Sequence, residues 1–496
     1  MERVKDYQIM IWEQAIVHHH WSEALRQWGL RQQVMWTVYL RELHELGNSF
    51  RSRAVAFLIV ALMVLSAVVH ASRYRSEVRI YQDTWETYTG SMQGASMTDL
   101  LQQPYPVMKP PWELAFLADG GQRDAPDVYR IALSHWENLP DFTHRRGVGD
   151  RLHAAESLDW VFLIRVVLSM ATFLLGYDVI CGHRQRAALR VVLSYAVDRW
   201  QVVVAKILAL WTLVSSPFVV GAILSLVVLT MLGGFQMNSL EWGKTLAILV
   251  LGIWSSSFFA LVAILVSLWA REAGRSLTLL ALVWVILVVV IPGGSGLVAQ
   301  RLEPLSSEAQ TEEKLAEIRD RSSQEGDVWR QPSEARKDGF VEEKASAERQ
   351  RVGYEKQLDV LQGALEQQFN QVQLARTLSL LSPMMIIQDL GERLVGSGNT
   401  RDRSFAEQAM AFRSDLEAHA KHLDLQDENS PHIYFFPTYM SGSVVIDAAA
   451  IPVFEFRESR ILEGFEAAAP RVLWLFFLTV VFFSVVLMSF AGYDVG

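Results

Sequence analysis

Three consecutive histidines, His18, His19 and His20, are the densest group of metal-capable side chains in the sequence. Transition-metal binding is the chemistry such a group can offer. Consecutive helical residues point about 100° apart, so the three cannot easily close around one ion, and a solvated or headgroup-facing cluster fits better. No HExxH or paired CxxC accompanies them, so no metal ligand and no catalytic residue is assigned. The single cysteine, Cys181, excludes an intrachain disulfide. No GxxxxGKS/T loop occurs, so the chain has no recognisable cradle for the phosphates of ATP. What stands out instead is a basic stretch, with Arg184, Arg186, Arg190, Arg199 and Lys206 set against Asp178 and Asp198.

The elements that carry this stretch are apolar. Of the 496 residues 51% are hydrophobic and 20% charged, and the apolar ones gather into long blocks. Crossing hydrocarbon as helix takes about 18 or more such residues, because lipid offers no partner to a free backbone amide. Blocks of that kind lie at 54–71, 160–180, 202–232, 245–269, 277–299 and 471–492. The net charge of -9 argues against a nucleic-acid partner. The opening MERVKDYQIMIWEQ lacks the pattern of a cleaved secretory signal, so the first span is expected to act as an uncleaved anchor. Basic residues resist translocation, which places the stretch 178–206 in the cytoplasm, while the loop 233–244, with only Glu241 and Lys244, lies outside. Six spans then put both termini in the cytoplasm of an inner (plasma) membrane protein.

The fold class that follows is membrane all-α: six transmembrane helices, an N-terminal amphipathic helix, and two mainly helical extracytoplasmic insertions with some strand. Residues 1–52 form the cytoplasmic amphipathic part and 53–71 the first span. Residues 72–159 form the first outer module, and 160–299 hold spans two to five. Residues 300–470 form the second outer module, with a helical arm at 306–381, and 471–496 hold the last span and a short cytoplasmic tail. In the amphipathic part, Met35, Val38, Tyr39, Leu43, Leu46 and Phe50 share one face, and Arg41, Glu42, Glu45, Asn48 and Arg51 fall mostly on the other. Such a helix lies in the membrane surface or packs on a partner.

Arg165 interrupts the second span, where a mid-bilayer charge costs about 2.5–3.5 kcal/mol. It either snorkels to the surface near Asp159 or lines a polar path. Pro217 predicts a kink, and the run PGGSG at Pro292–Gly296 predicts the frayed outer end of the fifth span. The Pro-rich stretch Pro104–Pro111 is expected to run extended. Tyr354, Leu358, Leu361, Leu365, Phe369 and Val372 stand near heptad spacing, the seam of a helical hairpin or of a partner contact. Met384 to Leu394 predicts a short apolar helix resting at the outer membrane face, and 401–423 another amphipathic helix. The aromatic run His432–Met440 reads as strand-forming core or as a partner surface.

The stretch GYDVICGHRQRAALRVVLSYAVDRWQVVVAK resembles the permeases of type 2 ABC exporters. At this place those proteins carry an Asp, a Gly-Glu-Arg-Glu-x-Gly-Thr-Leu run, a Ser before a turn and a Lys opening the next span. Asp178, Gly182, Arg184, Leu189, Ser194, Arg199 and Lys206 fit, whereas His183 and Gln185 replace acids and Ala187 and Ala188 replace Gly-Thr. YLRELHELGNSFRSR is similar to the family's surface elbow helix, and YPVMKPPWELAFLADGG and the segments from LSPMMIIQDL to the end are similar to a branch with large outer insertions.

The resemblance implies a permease subunit of an ATP-driven exporter, not itself an enzyme. Its coupling helix, at 182–199, would seat on a separate ATPase through Gly182, His183, Arg184, Gln185, Arg186, Arg190, Ser194, Asp198 and Arg199. Arg41, Glu42 and Glu45 would lie on the elbow helix. ATP and Mg would be bound by the partner and no cofactor by this chain. The implied assembly has two nucleotide-binding subunits and a second permease chain, identical or not. The size of the 300–470 insertion keeps a rival open, mechanotransmission, in which the outer arms act on a periplasmic partner and nothing crosses the bilayer.

Overall fold

The computed structural model describes residues 35–119, 127–133, 141–143, 158–182, 198–235, 237–324, 330–428, 430–433, 446, 450–458 and 461–492. The first helix, α1 (35–47), has three faces. Tyr39, Glu42 and Leu46, spaced three and four apart, turn toward the rest of the protein, and Tyr39 Oη donates to Thr212 Oγ1 at 3.2 Å. Trp36 and Leu40 form an exposed apolar stripe, and Thr37, Arg41, His44, Glu45 and Asn48 an exposed polar one. Glu42 thus leaves the polar face on which its sequence neighbours Arg41 and Glu45 remain.

Ser49 caps the next helix, accepting from Ser52 N at 3.1 Å. That helix, α2 (Phe50–Ser91), has 42 residues and is about 63 Å long, roughly twice what hydrocarbon requires. Its second half continues helical because no Gly or Pro intervenes before Gly90. A capping box of Ser96 and Asp99 starts α3 (Met97–Gln102). Strands β1 (Tyr105–Met108), β2 (Val128–Ile131) and β3 (Asp141–Thr143) form an antiparallel sheet in that order, with Tyr105 opposite Ile131 and Val128 opposite Thr143. Pro106 sits on the edge strand β1, where a missing N–H is tolerated.

Asp159 caps α4 (Trp160–Gly176), accepting from Phe162 N at 2.6 Å, and Val161 N bonds Leu117 O at 3.0 Å. Residues Leu163–Leu168 of α4 wind as π-helix. Four longer apolar helices complete the set: α5 (Arg199–Gly233), α6 (Ser239–Trp269), α7 (Ala273–Leu302) and, after the second insertion, α12 (Ile461–Ala491). With α2, these are the five helices among the described residues that are long and apolar enough to cross a membrane, and α4 is a shorter apolar one. The most apolar stretch of α6 is 72% buried and that of α7 only 6%, so α6 is the centre of the bundle and α7 its flank. Gly176 lets α4 approach α5 and α6, since a Cβ there would stand 2.7 Å from Ala263 and 2.8 Å from Leu210. Helix α5 continues through Pro217.

The second insertion contributes α8 (Glu308–Gln324), α9 (Val341–Ser379), α10 (Pro383–Val395) and α11 (Asn399–Leu425). Gln371 Nε2 reaches Glu303 O at 2.7 Å, Ser306 faces Gln367 at 3.3 Å, and Gly353 abuts Ser322. The partners rise from 303 to 322 on one side as they fall from 371 to 353 on the other, so α9 runs antiparallel to α8 and to the end of α7. Tyr354 and Leu358 of the heptad seam are buried. One apolar core fills the bundle, and a second gathers the end of α2, α3, β1, β2 and α11, so both insertions share it.

Two expectations change. The PGGSG run is helical: Ile286–Val290 is wound as π-helix and Ile291–Leu302 continues from it. The altered winding already breaks the usual bonding just ahead of Pro292, so its missing N–H removes little. Helix α10 does not rest on a surface, because Met384, Ile386, Ile387, Leu390 and Val395 are buried in the bundle core. Of the aromatic run His432–Met440, residues 434–440 lie outside the described residues, and Ile433 packs with Ala335, Phe340 and Ala347.

Candidate functional site

The basic end of the bundle is built from five helices and a turn. Lys206, in the second turn of α5, is 2% exposed and sends its Nζ to Glu42 Oε1 of α1 at 2.7 Å and to Val179 O at 3.2 Å. An ammonium held that far from water is tolerable only beside a counter-charge and further acceptors, and the pair supplies both. In the first turn of α2, Arg51 grips Asp178 with two nitrogens, at 3.0 and 3.4 Å, and its guanidinium lies 4.9 Å from the ring centre of Tyr177. Asp178 O accepts from Gly182 N at 2.9 Å, and a Cβ on Gly182 would stand 3.1 Å from Asp178 Cβ.

Ser267, near the end of α6, accepts from the amides of Ile180 and Cys181, each at 3.2 Å. Arg199 donates to Ala491 O at 3.1 Å and so places a cation at the last turn of α12. The two ends of the 183–197 segment are therefore fixed to α1, α2, α6 and α12. Within it, His183, Arg184, Gln185, Arg186, Arg190 and Ser194 lie outside the described residues, while Gly182, Asp198 and Arg199 border it. Of the three elbow residues, Arg41 and Glu45 are exposed and Glu42 is the one buried against Lys206.

Lys206, Asp178, Arg51 and Ser267 organise this end; the first three stand out in the basic stretch and the amphipathic helix, whereas Ser267, a serine in an apolar run, carries no signal of its own. A usable signal exists for Glu42, whose spacing from Tyr39 and Leu46 puts it on the packed face.

Arg165 stays inside the protein. It is buried within the π-wound turn of α4, its Nη1 is 3.3 Å from Met385 Sδ of α10, and its guanidinium lies 5.9 Å from the Phe162 ring centre. The carboxylate of Asp159 instead accepts from the amides of Phe162 and Asp119, at 2.6 and 2.8 Å. Burial pushes that carboxyl up to about 7, with Asp119 and Glu392 adding to the rise and the two amide bonds opposing it.

At the insert end, Lys109 pairs with buried Asp402 at 2.7 Å and with Asp127 at 3.3 Å. Burial raises the Asp402 carboxyl, against the pull of Lys109. Arg401 pairs with Glu458 at 2.7 Å and lies between the rings of Trp112 (4.2 Å) and Phe456 (5.3 Å). Among the described residues no group of three or more His, Cys, Asp or Glu side chains is arranged to hold a metal ion, and His18, His19 and His20 lie outside those residues.

With this geometry in hand, comparison with known proteins gives one match. A family model described as "ABC-2 family transporter protein" matches residues 43–494, from α1 to beyond α12. No curated protein matches the chain.

Proposed function

The chain belongs to the ABC-2 family of transporter proteins, and from that premise we propose that it is the permease subunit of an ATP-driven exporter. Its motor is a separate ATPase seated on residues 182–199. The observation that carries this reading is the bracketing of that segment by two ion pairs, Glu42–Lys206 and Arg51–Asp178, one of them fully buried. A segment whose two ends are clamped to α1, α2, α6 and α12 cannot be pushed without moving those helices, which is what a motor contact requires. In this reading α2, α4, α5, α6, α7 and α12 all span the membrane, and both termini and the basic end lie in the cytoplasm, as the basic stretch 178–206 supports. The chain resides in the inner (plasma) membrane, pairs with a second permease chain, and works with two ATPase subunits that bind the ATP and Mg. The branch with large outer insertions is the one its architecture fits.

In this account closure of the ATPase subunits on ATP displaces the segment carrying His183, Arg184, Gln185, Arg186, Arg190 and Ser194. Asp178 and Arg51 pass the displacement to α2, and Lys206 and Glu42 pass it to α5 and α1. The paired bundles then shift and substrate leaves outward. A second reading, mechanotransmission without transport, is favoured by one feature: α9 is about 58 Å long and leads straight into α10 within the bundle core.

Reversing charge at Arg184, Arg186 and Arg190 together is expected to leave ATP hydrolysis by the complex intact while reducing transport at least about tenfold, a loss of about 1.4 kcal/mol in coupling. Normal coupling in that variant removes these arginines from the role. Deleting 306–372 separates the readings, because transport that survives the deletion contradicts mechanotransmission.

A further inference from the structure

Helix α10 has only 13 residues, too few to cross hydrocarbon, yet it makes polar contacts with four apolar helices. Ser382, its cap, donates to Leu287 O of α7 at 2.7 Å. Arg165 of α4 reaches Met385 Sδ at 3.3 Å. Lys244 of α6 donates to Val395 O at 2.7 Å, and Arg471 of α12 pairs with Asp389 at 2.9 Å. Gly391 lies so close to Val161 of α4 that a Cβ there would overlap it.

Two of these contacts fall on π-wound turns, 163–168 in α4 and 286–290 in α7. Such turns leave carbonyls poorly paired within their own helix and often mark places where a helix changes register. Ser382 takes one such carbonyl, that of Leu287. Ser169 Oγ donates to Arg165 O at 2.5 Å and accepts from Trp284 Nε1 of α7 at 3.1 Å, which ties the turn of α4 to the α-helical residue two positions ahead of the turn of α7. At its other side α10 follows α9 after three residues, 380–382, and an ion pair between Arg376 of α9 and buried Glu392 braces the corner. A tilt of α9 therefore cannot be absorbed at the corner and is delivered to α10.

We propose that α10 is a joint through which the arm of α8 and α9 sets the winding of α4 and α7. A load on the arm tilts α9, α10 turns with it, and the π turns at 163–168 and 286–290 shift together. This deepens the reading in which the arms and the spans move as one. It rests on contacts remote from the ATPase seat, so it is tested without motor or nucleotide and fails or stands separately from that seat.

The test is fluorine NMR of the full chain labelled with 5-fluorotryptophan in lipid nanodiscs, with the Trp284 signal assigned through Trp284→Phe. Arg376→Gln and Glu392→Gln each cut the corner brace, Ser382→Ala cuts the bond to α7, and Arg351→Gln cuts exposed ion pairs of α9 far from the corner. The expected result is a shifted or split Trp284 signal in the first three and an unchanged one in Arg351→Gln. The proposal is overturned if Trp284 is unmoved by both corner variants, whatever Ser382→Ala does, or if Arg351→Gln moves it equally. Should one corner variant fail to fold, the other decides.

Discussion

Glu42 and Lys206 show what a single residue can and cannot disclose. Their side chains lie 164 positions apart in sequence and 2.7 Å apart in space, both buried. Removing one partner strands the other charge out of water, which costs about 3–5 kcal/mol, whereas replacing both with apolar groups of similar size is close to neutral. Lys206→Met is therefore expected to lower the melting temperature sharply, and Glu42→Leu with Lys206→Met to recover most of it. If the pair also transmits motion, the double variant regains stability without regaining coupling of hydrolysis to transport. Single variants as stable as the wild type would contradict the buried-pair description. The sequence pattern showed that Lys206 opens a span, but it grouped Glu42 with the polar face of Arg41 and Glu45, although the three- and four-residue spacing from Tyr39 and to Leu46 allows the packed face that Glu42 occupies. That the two meet depends on how α1 and α5 pack, which no local pattern encodes.

Elements were readable in proportion to their length and regularity. The long apolar helices follow from block length alone, because the hydrocarbon requirement is a sharp threshold. Helix α10 falls below it and so reads as a surface segment, although its neighbours supply the burial its own length cannot. The π turns were not legible, since they answer to contacts such as Ser382 with Leu287 rather than to composition. The cap of α4 carries a pH dependence. Burial raises the Asp159 carboxyl to about 7 in the folded protein, so the native state holds a proton that the unfolded chain, with a carboxyl near its ordinary value of 3.8, has released. The stability this gives is full below about pH 4 and is lost as pH rises through about 7. Thermal unfolding in detergent is expected to show a lower melting temperature at about pH 8 than at about pH 5. Asp159→Asn, which removes the titrating group and keeps an acceptor for only one of the amides of Phe162 and Asp119, is expected to flatten that slope while lowering stability at every pH. An unchanged slope in the variant would assign the effect to other groups, such as buried Glu392, whose carboxyl burial also raises.

Across the whole molecule, the membrane class and the family were readable from the order of apolar blocks and basic loops, and the match over residues 43–494 agrees with them. The joining of the two insertions in one core was not, because β1, β2 and α11 are separated by some 270 residues of bundle and arm and meet only through packing. The functional account makes the basic end the seat of a motor and the far end the business side. The most direct measurement is site-specific photocrosslinking in native membranes, with a photoreactive residue in place of Arg190 and, as the comparison, in place of exposed Glu355 on α9. The account predicts that position 190 captures an ATPase subunit, that added ATP changes the yield, and that position 355 captures none. Capture of the ATPase from position 355, or none from position 190 in membranes where transport is active, would contradict it.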